Sequence, residues 1–114
     1  MFLPMTRSPT LLVATWEDGL FALKDGAFLR EAVEGSVAGL ASDGAGGALA
    51  IADGKRLLRR SPDGRWTTLA TSAESLAACT MLGSTIFVGT NDARVLRLTD
   101  DGSLAPVSGF DRVA

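Results

Sequence analysis

The 114 residues include no His and no Tyr, one cysteine, Cys79, and two Trp. Without His there is no imidazole base, so Ser-His-Asp and Cys-His nucleophile systems and His-containing zinc sites are excluded. A single Cys forms neither an intrachain disulfide nor a thiolate metal cluster, and no metal or other cofactor is expected. Basic charge is also scarce: eleven Lys plus Arg against thirteen Asp plus Glu leave a net −2. Nucleic-acid binding requires a basic patch, and the one local cluster, Arg56-Leu57-Leu58-Arg59-Arg60, splits its arginines between two faces at strand periodicity. No nucleic-acid partner is expected. Apolar runs fall far short of the ~18 residues of a membrane span, and Leu11 to Ala14 is only strand-sized. The opening residues 1–7 lack the basic region, long apolar core and cleavage site of a signal peptide. Together with one free Cys, this points to a reducing, cytoplasmic location.

What the sequence does have is repetition. Asp25-Gly26, Asp63-Gly64 and Asp101-Gly102 recur every 38 residues, with Leu20, Leu58 and Leu96 each five residues upstream. Before them stand three apolar runs, at 11–14, 49–52 and 87–90, each followed by a polar turn: Trp16-Glu17-Asp18-Gly19, Asp53-Gly54-Lys55 and Asn91-Asp92-Ala93. A large side chain follows each Asp-Gly, at Phe28, Trp66 and Leu104. A fixed period near 40 with several short strands per unit is the signature of propeller blades.

Each unit divides into strands a, b, c and d. Strand a falls at 37–42 and 76–81; b at 10–15, 48–52 and 85–90; c at 20–24, 57–61 and 94–99; d at 27–33, 65–71 and 103–108. Asp-Gly is a strong hairpin signal because Gly supplies the positive φ of tight turns. The fold class expected is all-β, a β-propeller segment of about three four-stranded antiparallel blades in an incomplete ring. Residues 1–9 form an extension, 10–36 the first blade with strands b to d, 37–74 the second, 75–111 the third, and 112–114 the start of another. Strands a and b carry no charge in their apolar stretches, whereas c and d carry Lys24, Arg30, Glu31, Arg59, Arg60, Arg65 and Arg97. That gradient orders the strands from a crowded axis outward.

Ser61-Pro62-Asp63-Gly64-Arg65-Trp66 resembles the Asp-box of bacterial-neuraminidase-repeat propellers, usually written Ser-x-Asp-x-Gly-x-Thr-Trp. It lacks one residue between Asp and Gly, and it lacks the Thr. The segments around Asp25-Gly26 and Asp101-Gly102 look like weaker copies, and residues 11–23 look like the first blade of sialidase-like or glycosyl-hydrolase-like propellers. The resemblance covers about residues 10 to 114 and implies fold more than activity, since such propellers host many functions. In their turns, Asp25, Asp63 and Asp101 read first as structural residues bonding their own backbone. Sialidases of this family use a Tyr nucleophile, which this chain lacks; no catalytic residue is assigned.

Topology gathers the b–c and d–a connections on one rim: Trp16, Glu17, Asp53, Lys55, Asn91, Asp92 and Arg94, joined by Glu34, Ser36, Glu74, Asp111 and Arg112. Mixed charges and a Trp suit a binding rim; Trp16 suits equally a cap on the first blade's edge. Three blades leave open faces and edges, so the expected partners are a second copy or the remaining blades of a longer propeller. The expected function is a non-enzymatic ligand- or protein-binding scaffold. The alternatives are part of a hydrolytic propeller with its catalytic residues elsewhere, and a self-assembling structural module.

Overall fold

A computed structural model describes residues 11–15, 19–33 and 35–107. These residues form eleven strands and no helix: β1 (Leu11–Thr15), β2 (Gly19–Lys24), β3 (Ala27–Arg30), β4 (Val37–Ser42), β5 (Ala48–Ala52), β6 (Arg56–Arg60), β7 (Trp66–Thr71), β8 (Leu76–Leu82), β9 (Thr85–Thr90), β10 (Val95–Leu98) and β11 (Leu104–Pro106). They pair antiparallel, in chain order, into a first sheet β1–β3, a second β4–β7 and a third β8–β11. The protein is therefore all-β, and its described sheets do not close a ring. The segments 1–9 and 112–114 lie outside the described residues, as do Trp16, Glu17, Asp18, Glu34, Asp111 and Arg112.

Turn chemistry explains the hairpins. Asp25 (φ 53°) and Gly26 (φ 80°) link β2 to β3 directly, both in the left-handed region that a two-residue hairpin of matching twist demands. The later c–d turns are longer. Gly64 N donates to Ser61 O at 2.9 Å and Gly102 N to Thr99 O at 3.1 Å, closing a turn that ends on a left-handed Gly.

Layering follows from side-chain alternation. Leu12, Ala14 and Leu20 on one face of the first sheet meet Val37, Leu40 and Ala50 of the second. Leu49, Ile51 and Leu57 on the second sheet's other face meet Leu76, Ile86, Val88 and Leu96 of the third. All of β5 is buried, which is why it reads as an uninterrupted apolar run. Small residues let the first strands approach: a Cβ at Gly39 of β4 would lie 3.4 Å from the Ala77 carbonyl oxygen of β8. The molecule measures 56 × 35 × 27 Å.

The three units do not share one register, as equal Asp-Gly spacing implies they should. Thr15 lies opposite Gly19 and Ala52 opposite Arg56, so the first sheet's Leu20 corresponds to Leu57, not to Leu58. Leu20 and Leu57 both face the following sheet, whereas Leu96 faces the preceding one. The first c–d turn is shorter than its counterparts, so equal Asp-Gly spacing displaces the strand before it by one residue. A shift of one reverses every side chain in a strand.

Candidate functional site

The b–c turns are tied to the d–a connections beside them. Asp53 N donates to Ser36 O at 2.7 Å, and Asn91 N makes the corresponding bond to Ser75 O at 2.9 Å. The Asp53 carboxylate also accepts from Ser36 N at 3.1 Å and pairs with Arg56 at 3.1 Å. Lys55 Nζ donates to Ala73 O at 3.0 Å, while Leu76 N reaches Gly54 O at 2.7 Å. Arg94 Nη1 pairs with Glu74 Oε1 at 2.8 Å. Asp92 N donates to the Thr90 hydroxyl at 3.3 Å. The structure thus brings Asp53, Lys55, Asn91, Asp92 and Arg94 to one rim, and their polar groups hold the turns together. Trp16 and Glu17, named with them from sequence, lie outside the described residues.

On the opposite rim, the Ser61 hydroxyl donates to the Asp63 carboxylate, which accepts from Arg65 N at 3.3 Å. Thr99 and Asp101 repeat this arrangement, with Ser103 N donating at 3.1 Å. The Ser61 hydroxyl and Arg65 amide hold the Asp63 carboxyl below the usual range, and the Thr99 and Ser103 hydroxyls do so for Asp101. Thr99 is thus the counterpart of Ser61, legible as a hydroxyl two residues before each Asp. Asp25 instead occupies the two-residue hairpin with Gly26.

Two acidic residues missed by sequence reasoning organise this side. Glu31, just past β3, accepts from Arg60 Nε at 2.6 Å and from Trp66 Nε1 at 2.9 Å, bridging the first and second sheets. Only 12% of the Glu31 side chain and 13% of Arg60 are exposed. Asp43, buried in the β4–β5 connection, accepts from Ala45 N and Gly47 N at 2.8 Å each and from Arg59 Nη2 at 3.0 Å. Burial pushes its carboxyl up, but the two amides and the guanidinium outweigh that, and the net shift is downward. Gly47 permits the wrap, because a Cβ there would fall 2.2 Å from the Arg60 carbonyl oxygen. Asp followed by a glycine-rich stretch was the available signal for this turn.

Between these features opens a cleft of about 1010 Å³. Leu11 and Leu12 of β1 and Leu40 of β4 give it apolar walls, while Lys24, Asp25, Arg60 and Asp63 line it with both signs of charge. It borders β1, whose outer edge pairs with no strand among the described residues. Outside the cleft, half-buried Cys79 packs against the core between the second and third sheets, donates to Gly39 O at 3.1 Å and has its thiol pushed up to about 11 by burial, which disfavours the nucleophilic thiolate. Among the described residues no three or more His, Cys, Asp or Glu converge to hold a metal.

No protein-family model, no curated protein and no solved structure matches this chain.

Proposed function

We propose that the three sheets are consecutive blades of a β-propeller segment and that the chain is a non-enzymatic scaffold that binds extended peptide. The cleft beside the β1 edge carries this reading. An unpaired strand edge offers backbone donors and acceptors in register, and peptide ligands commonly bind by adding a strand to such an edge. The apolar walls suit alternate side chains of that strand, and the charges of both signs suit polar ones. The b–c rim favoured by sequence is less suited, because it is built of turns rather than a strand edge, and its Asp53, Lys55 and Arg94 are already bonded within the fold. The cytoplasmic location and the likeness to neuraminidase-repeat propellers belong to the same reading.

The test is selection of peptides from a random display library against the purified chain. Binding is then compared for Lys24→Glu, Asp63→Ala, Lys55→Ala and Arg94→Ala. The expected result is at least a tenfold loss for Lys24→Glu or Asp63→Ala and little change for the other two. Peptides that lose affinity only on the Lys55 and Arg94 changes would return the site to the b–c rim. Turnover of a fluorogenic sialoside by the chain would remove the non-enzymatic reading altogether.

A further inference from the structure

The first and third sheets each leave one face uncovered by described residues. Cross-strand pairing aligns Leu11 with Leu23 and Phe28, and Val13 with Phe21 and Arg30, so these six share the outer face of the first sheet. Leu11 is 57% exposed and Phe28 63%. The Arg30 guanidinium lies 5.2 Å from the Phe21 ring centre and covers part of it. At the other end of the molecule, Thr80, Phe87, Arg97 and Ala105 form one cross-strand row, with Val95 and Gly89 beside it. Leu82, at the end of β8, is 73% exposed.

These are not two copies of one surface. Phe87, Gly89 and Val95 stand where Leu49, Ile51 and Leu57 stand in the preceding unit, the residues with which the second sheet meets the third. Val13 corresponds to Ala50, through which the second sheet receives the first. The uncovered face of the third sheet is therefore of the kind that gives, and that of the first sheet of the kind that receives. The chain joins such a pair twice within itself.

We infer that a second copy of this chain joins them again, head to tail, the third sheet of each copy seated on the first sheet of the other. This rests on reading the sheets as consecutive blades. With two-fold symmetry both junctions form at once and the contact closes. Three five-residue strands make a face of about 16 × 14 Å, roughly 300–400 Å² of accessible surface once side-chain relief is included. Two junctions then bury roughly 1,200–1,600 Å² in total, the range of stable specific interfaces. A single such junction falls below that range, which favours the closed pair over an open stack.

Sedimentation velocity of the whole chain between about 1 and 100 μM, at and above the weakest affinities of interfaces of this size, tests the arrangement with one variant on each face. Val13→Lys spoils the receiving face and Phe87→Lys the giving face. The expected wild-type species is a dimer, twice 11.8 kDa, and each variant alone is monomeric. An equimolar mixture of the two variants regains a weaker dimer, because one junction then joins two unaltered faces. Phe28→Ser replaces Val13→Lys if circular dichroism shows that the lysine variant has not folded. Four outcomes overturn the inference: a monomeric wild type, growth past the dimer with concentration, dimerisation of either single variant, or no recovery on mixing. A monomeric wild type leaves the peptide results at the cleft standing, so the two readings fail separately.

Discussion

Ala93 holds a φ of 62°, in the turn Thr90-Asn91-Asp92-Ala93-Arg94 that joins β9 to β10. Its amide donates to Thr90 O at 3.2 Å, the bond that Gly64 and Gly102 make in their own turns. An L-residue with a Cβ is strained there, by about 1 kcal/mol. Ala93→Gly is expected to raise stability by about 0.5 kcal/mol, the relief exceeding the added freedom of the unfolded chain; urea unfolding midpoints measure it. Asp43 makes the opposite case, a residue whose replacement costs. Its folded-state carboxyl titrates below the unfolded value of about 3.9, so its contribution is complete above about pH 4 and is lost as pH falls through the folded value. In Asp43→Asn that part of the acid-induced loss should disappear and neutral-pH stability should fall, which acid titrations followed by circular dichroism would show. Such roles were hard to read. An Asp before a glycine-rich stretch announces a turn, whereas its partner Arg59, sixteen residues on, is set by strand pairing.

Strands a, b and c were legible to within a residue, because β-branched and small apolar runs end in Gly- and Asp-bearing turns, whereas the d strands expected at 27–33 and 103–108 run only Ala27–Arg30 and Leu104–Pro106. Pairing register in the first sheet was not legible, since it depends on turn length, and equal Asp-Gly spacing concealed a shorter turn. Least legible was the seam between the first two sheets. Glu31 lies 29 residues from Arg60 and 35 from Trp66, and only the stacking of the sheets joins them. The next seam has Leu69, Leu98 and Leu104 at the corresponding places, all packed on the apolar core. At these three positions, beside the apolar cluster that each seam has, the first seam is ionic and the second apolar. Removing a single partner of a largely buried ion pair strands the other, at a cost of about 3 kcal/mol, whereas exchanging the whole set for apolar residues is often neutral. Glu31→Ala should therefore destabilise strongly, and Glu31→Leu with Arg60→Leu and Trp66→Leu should recover most of the loss. Urea denaturation of both variants gives the comparison; a triple variant no better than Glu31→Ala would show that the two seams pack differently.

At the scale of the whole molecule, the two seams give the fold unequal responses to temperature. Apolar contact weakens on cooling, while the hydration of charged groups that opposes ion pairing becomes less favourable on heating. The seam held by Leu69, Leu98 and Leu104 should then be the first to loosen in the cold, and the Glu31–Arg60 seam should retain relatively more of its strength in the heat. Hydrogen exchange near 5 °C should rise first in β8 and β9, relative to β4 and β5, and the order should narrow or reverse as the temperature is raised. Equal acceleration of both pairs on cooling would show that the seams open together. A chain built by repeating one unit would meet cold and heat alike along its length. This one differs from seam to seam, so a change of temperature is expected to select which sheet is released.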